Sequence, residues 1–198
     1  MRPARSLLSG FALVLAVALS LCLRGDAAAP SAADPRVSDG GMFFSEEAVS
    51  EADDVIRGIK QSYDRDVFFE TYAAVPDDLK DELARDGKEK FYEDWLNRRA
   101  GRLGVRGVFV LMTREPGRVQ VGVDKATRGR AFTLPDRDAL RETLGSAFRA
   151  RQFDRGLLEG VRFIRQRMAE NTAPDRSPTV PVLTAGAAAA AGPGQFCR

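Results

Sequence analysis

Val108-Phe109-Val110-Leu111-Met112 is an unbroken apolar run bounded by Gly107 and by the turn-forming Glu115-Pro116-Gly117. With no polar residue to alternate and no helical spacing, it reads as a strand covered on both faces. Beyond the turn, Val119, Val121 and Val123 alternate with Arg118, Gln120, Gly122 and Asp124, the pattern of a strand returning antiparallel as a hairpin. Upstream, Asp66 to Val75 is dense in β-branched and aromatic residues and is stopped by Pro76, which makes a further strand. Between that strand and the apolar run lies a helical stretch. It is capped by Asp77 or Asp78, carries Leu79 and Leu83, breaks near Asp86-Gly87, and resumes with Phe91, Tyr92, Trp95 and Leu96. Strand, helix, strand predicts a right-handed βαβ unit with parallel strands.

Helices flank this unit on both sides. Ser45 is an N-cap candidate with Glu46 and Glu47 in the first turn, and Ala52, Val55, Ile56, Ile59 and Tyr63 share one face. Asp136 and Asp138 are expected to begin a helix bearing Leu140, Leu144, Ala147 and Phe148. Asp154 is expected to begin another, with Leu157, Val161, Ile164 and Met168 in a stripe that packs on a sheet. The predicted fold class is therefore α/β: a small mixed sheet, formed by the βαβ unit plus an antiparallel hairpin strand, sandwiched by about four helices.

The ends of the chain read differently. Met1 to Arg5 is basic, Leu7 to Leu23 is predominantly apolar, and Ala27-Ala28-Ala29 supplies small residues for a peptidase, so residues 1–29 are expected to be a secretory signal peptide. A retained membrane anchor is the alternative, since the apolar run approaches the ~20 residues that span a bilayer. Removing residues 1–29 takes away Arg2, Arg5, Arg24 and Asp26 and leaves 27 basic and 27 acidic residues. The mature chain is then neutral, with no own transmembrane helix, and nucleic acid is not an expected partner. Cys22 leaves with the signal, so Cys197 has no internal partner and is either an inert tail thiol or an intermolecular one. Residues 172–198 are rich in Ala, Pro and Gly and read as a flexible tail, leaving 37–171 as the foldable domain. The expected location is exported, periplasmic or extracellular.

Several landmarks occur in a fixed order: Val37-Ser38-Asp39, Phe43-Phe44-Ser45-Glu46-Glu47, Trp95, Gly107 to Met112, Val119-Gln120-Val121-Gly122, and Phe153-Asp154-Arg155-Gly156-Leu157-Leu158-Glu159-Gly160-Val161. In that order they resemble the TPM domain, over about Val37 to Met168. The resemblance implies an α/β sandwich facing a non-cytoplasmic space. It implies less about chemistry, because the family includes a thylakoid-lumen protein of photosystem II repair reported as an acid phosphatase, calcium-binding bacterial relatives, and an accessory protein of a nematode acetylcholine receptor. Function has to be argued from the site. This chain also departs from the family where Val123-Asp124-Lys125-Ala126-Thr127 replaces a glycine-rich turn.

The sequence contains no histidine, which removes Ser-His-Asp and Cys-His catalysis and His-bearing zinc sites. Carboxylates remain for a hard cation such as calcium. The resemblance carries Asp39 over as a metal candidate through the family's Val-x-Asp element, with Asp124 as a second at the replaced turn. Their plainer roles are an Asx-turn and a solvated strand end. Asp77 and Asp78 form a separate candidate at the mouth of the parallel strands, or else cap a helix. Arg98, Arg99, Arg102 and Arg106, and likewise Arg149 and Arg151, either greet an anion or place cations at helix C-termini. Catalytic residues are not legible. The expected role is a non-catalytic accessory, assembly or quality-control binding module for a protein partner in the envelope or membrane. A metal-dependent acid phosphatase acting on phosphomonoesters is the alternative.

Overall fold

A computed structural model describes residues 34–173. The expected signal peptide, Cys22, Cys197 and the tail after residue 173 lie outside the described residues. Four strands form one sheet in sequence order: β1 (Val37–Asp39), β2 (Asp66–Ala74), β3 (Gly107–Glu115) and β4 (Arg118–Val123). The first three are parallel and β4 returns antiparallel, with Val67 opposite Val108 and Val110 opposite Val121. The mixed sheet of the α/β reading is present, with one more strand than the sequence suggested. Val37–Asp39 pairs with Phe69 to Thr71; at three residues it is too short to show alternation.

The helices are α1 (Glu46–Tyr63), α2 (Lys80–Asp86), α3 (Lys88–Leu103), α4 (Lys125–Arg128), α5 (Leu134–Arg149) and α6 (Phe153–Thr172), with a 3-10 turn at Asp77–Leu79. Four are long and two are short. Side-chain alternation on the strands sorts them into layers. Val37, Phe69, Val110 and Val121 form a row across the whole sheet and face α1, α5 and α6, which contribute Ile56, Ile59, Leu140, Leu144, Leu157, Val161, Ile164 and Met168. Phe68, Phe109 and Leu111 point the other way, onto Phe91, Tyr92, Trp95 and Leu96 of α3. With both faces covered, the apolar run of β3 has nowhere to carry a polar residue. Each such buried side chain contributes about 1.5–3 kcal/mol.

The helix starts correct three expectations. Ser45 does cap α1, its Oγ accepting from Ala48 N at 3.2 Å. Asp136 and Asp138, however, do not begin α5: Thr133 is the cap and Asp136 closes a capping box from the third helical position, behind Pro135. Asp154 does not cap α6, which starts at Phe153; its carboxylate instead accepts the Ser45 N–H at 2.8 Å and ties α6 to the start of α1. Neither Asp77 nor Asp78 caps anything, because Pro76 occupies the cap position of the 3-10 turn and no side-chain cap bond forms. α6 also runs through Thr172, past the expected domain end.

Candidate functional site: an arginine-lined cleft

Because β1, β2 and β3 are parallel, their carboxyl ends fall together, and this is where open α/β sheets place their ligands. α5 ends and α6 begins at the same end. The result is a cleft of about 820 Å³ whose wall includes Arg114 and Arg118 of the hairpin, Arg141 midway along α5, and Arg149 and Arg151 at the α5 end. Its size is that of an ordinary small-ligand site.

The floor is aromatic and is built by Asp39. One carboxylate oxygen accepts the Phe43 N–H at 3.0 Å and the Thr71 hydroxyl, while the other accepts the Phe44 N–H at 2.8 Å. The Gly41 N–H donates to Thr71 Oγ1 at 2.9 Å. These bonds fold the loop after β1 so that Phe43 lies 5.6 Å from Phe148 and 5.4 Å from Phe153, which are themselves 5.1 Å apart. The Arg114 guanidinium stacks on Phe43 at 4.7 Å and donates to the carbonyl of Met42 at 3.1 Å. Asp39 is thus a positioning residue for the floor.

Charge on the walls is uneven. Arg118 is held by Glu89 in a two-pronged pair, and the Arg118 guanidinium keeps that carboxyl below its ordinary range. Arg141 reaches Asp138 at 3.5 Å. Among the described residues, Arg114, Arg149 and Arg151 have no carboxylate partner; Arg149 donates to the Ser146 hydroxyl at 3.0 Å. Three guanidiniums without counter-ions over an aromatic floor suit an anion with an apolar body.

Arg151 sits in the left-handed region, φ 56°, at the position after a helix end where glycine is usual. Its N–H bonds Phe148 O at 3.0 Å, and the next N–H bonds Ala147 O at 2.9 Å, so the strained turn is fixed. Strain kept at a ligand-facing position has a functional reading. Arg151→Gly is expected to raise folding stability by about 1 kcal/mol while weakening anion binding about tenfold; thermal melts and titration with an aryl phosphate measure the two signs.

Catalytic groups are not assembled here. The cleft's threonine, Thr113, donates to the Pro116 carbonyl at 2.6 Å and shares a 2.8 Å bond with the Tyr92 hydroxyl. The lining acid, Glu89, is bound to Arg118. On the α3 face, burial and then Glu70 push the Tyr72 hydroxyl up to about 12, so it is a neutral phenol rather than a nucleophile.

The sequence-predicted metal candidates are not brought together. Asp39 ends β1, whereas Asp124 follows β4 at the other end of the sheet, about 15 Å along the strands from the Asp39 row. They do not fit a shared calcium ion. Asp124 caps α4, one oxygen accepting from Ala126 N at 2.8 Å and Thr127 N at 3.3 Å; the other is buried without a partner. Asp77 is exposed and paired with Lys80 at 2.6 Å, which holds its carboxyl low. Among the described residues no three Asp, Glu or Cys side chains cluster as a metal site.

Arg149 and Arg151 were open to an anion-binding reading from sequence, but Arg114, Arg118 and Arg141 were not singled out. They come from separate elements, so no local spacing links them. The one available signal was an arginine standing where a helix-ending glycine belongs.

With the geometry in hand, comparison with known proteins adds the fold alone. No family model matches the chain, and no curated protein matches it. The solution structure of the N-terminal domain of a protein from P. gingivalis is similar, with a TM-score of 0.54 at 18% identity over 68% of this chain and 82% of that one. The N-terminal domain of the cg2496 protein from Corynebacterium glutamicum aligns with a TM-score of 0.43 at 13% identity, over 73% and 84% of the two chains.

Proposed function

We propose that this chain is an exported TPM-type domain acting as a non-catalytic accessory or quality-control module, which docks an acidic segment of a protein partner in the envelope into the arginine-lined cleft. The observation that carries this reading is the trio Arg114, Arg149 and Arg151, uncompensated above Phe43, Phe148 and Phe153. Guanidinium forks recognise carboxylate and phosphate alike, and the aromatic floor accepts an apolar neighbour of the charged group. The order of TPM landmarks and the shared α/β fold support the family assignment. A partner group here meets binding groups without a free nucleophile or base beside them.

The aryl anion 4-nitrophenyl phosphate separates this reading from a metal-assisted phosphatase. Saturable binding without nitrophenolate release is expected with calcium, magnesium or manganese, from acidic to neutral pH. Replacing Arg149 and Arg151 by alanine should weaken that binding by about tenfold per arginine. Hydrolysis that disappears in Asp39→Ala or Asp124→Ala would establish the phosphatase instead. Absence of saturable binding would remove the cleft as the docking site.

A further inference from the structure

The end of the sheet opposite the cleft carries a second concentration of positive charge. Arg65 precedes β2, Arg106 precedes β3, Arg102 lies in the last turn of α3, and Lys125, Arg128 and Arg130 follow β4. The chain crossings put the segments that carry Arg65, Arg106 and Lys125 side by side. Asp66 N donates to Arg106 O at 3.1 Å, Arg106 N donates to the Asp66 carboxylate at 2.8 Å, and Asp124 N donates to Gly107 O at 3.0 Å. Adjacent strand ends lie about 5 Å apart, so these segments form one rim.

Every one of these six cations but Arg65 is exposed, and among the described residues none forms an ion pair. Elsewhere on the surface pairing is common, as in Arg98 with Glu82, Arg155 with Glu159 and Arg162 with Glu51. Three acids stand among them: Asp64 and Asp66 share Lys60 at 2.7 and 3.0 Å and Asp124 caps α4, so the cations outnumber the carboxylates. The rim therefore keeps its positive field.

Its shape differs from that of the cleft. A groove of about 250 Å³ lies nearby between α3 and β4, its lining including Gly101, Gly104 and Gly122. No guanidinium lines it. Separate, solvated cations around a shallow surface do not converge on a small ion, but they match an extended field of negative headgroups.

We propose that this rim docks on an anionic lipid surface. The nine residues of β3 span about 30 Å, so a bilayer at the rim leaves the cleft facing away from it, open to a partner. The proposal rests on the rim alone and stands whether or not the cleft binds an acidic segment.

Sedimentation of the full chain with phosphatidylcholine vesicles, with and without phosphatidylglycerol, tests it. The readout is the anionic preference of each rim variant relative to wild type, since the N-terminal segment with Arg2, Arg5 and Arg24 is the same in all of them. Phosphatidylglycerol is expected to raise the bound fraction in a salt-sensitive way. Lys125→Gln, Arg128→Gln and Arg130→Gln together should lower partitioning onto anionic vesicles by about a hundredfold. Arg102→Gln with Arg106→Gln, on different elements, should lower it by about thirtyfold, and the Arg149, Arg151 double alanine variant should match wild type. Equal binding to both vesicle types, wild-type binding by both rim variants, or an equal loss in the cleft variant would overturn the proposal. So would binding to soluble polyphosphate without binding to vesicles.

Discussion

Gly107→Ala is expected to cost the domain about 4 kcal/mol or more of folding stability, a loss drawn from the total of about 5–15 kcal/mol typical of native proteins. A β-carbon at this position would lie 1.9 Å from the Asp66 carbonyl oxygen and within 2.8 Å of the Asp66 nitrogen and carbonyl carbon. These are backbone atoms of the neighbouring parallel strand, so no side chain can turn aside to make room. Nor can the strands part cheaply. Asp66 is buried, its N–H is bonded to Arg106 O, its carboxylate holds Arg106 N and Lys60, and Gly107 O accepts from Asp124 N. Widening the gap breaks the start of β2 and β3 and the end of β4 at once. Urea unfolding followed by circular dichroism should show a lower midpoint with an unchanged slope. A loss under about 1 kcal/mol would mean that the β2–β3 junction yields far more readily than its bonds imply.

The same glycine shows why some of the molecule was legible and some was not. Gly107 stands directly before the apolar run, and a strand covered on both faces announces itself because Phe68, Phe109 and Leu111 bury on α3 while Val67, Val108 and Val110 bury on α1 and α6. β1 gives no such signal, since three residues contain one buried position, Val37. Helix starts misled where an acid stands elsewhere than at the N-cap: Asp136 is the third residue of α5, and Asp154 reaches across to Ser45. The arginine run Arg98, Arg99, Arg102, Arg106 looked like one cluster because sequence spacing is all that a sequence offers. In the fold Arg98 turns to Glu82 and Arg99 to Glu70, and only Arg102 and Arg106 belong to the basic rim. Asp39 was found through its Val-x-Asp setting, yet its observed work is to shape a floor of Phe43, Phe148 and Phe153, an arrangement that depends on contacts more than a hundred residues apart along the chain. The cleft arginines are likewise a property of topology. They meet because the hairpin tip and the α5–α6 corner fold to the same end of the sheet.

Asp136→Ala is expected to cost about 3 kcal/mol at neutral pH, with a pH dependence that a simple packing defect would not show. The carboxylate is buried at the start of α5 and accepts from Thr133 N at 2.8 Å, Thr133 Oγ1 at 2.7 Å, Arg167 Nε at 2.6 Å and Asn171 Nδ2 at 2.9 Å. It joins the first turn of α5 to the last turns of α6. Burial by itself raises the carboxyl, but the bonds from Thr133, Arg167 and Asn171 outweigh it and hold the group below its ordinary value of 3.8. With the folded value depressed, the unfolded chain takes up the proton first as pH falls. The stabilisation is therefore fully present above 3.8 and drains away as pH drops through the folded value. The stability gap between wild type and Asp136→Ala should stay constant from neutrality to about pH 5, then narrow below about pH 4. Asp136→Asn separates charge from shape: it fills the same space, so a loss nearly as large as that of alanine would assign the effect to the carboxylate rather than to a cavity. A gap that stays constant down to about pH 2 would show that the charge on Asp136 does not hold the two helices together. Because α5 rises about 20 Å from Asp136 to Arg149, its fixed first turn also fixes where Arg149 and Arg151 stand. Acid that loosens the anchor therefore acts on the binding wall from the far end of the helix, in addition to protonating Glu89 in the cleft itself.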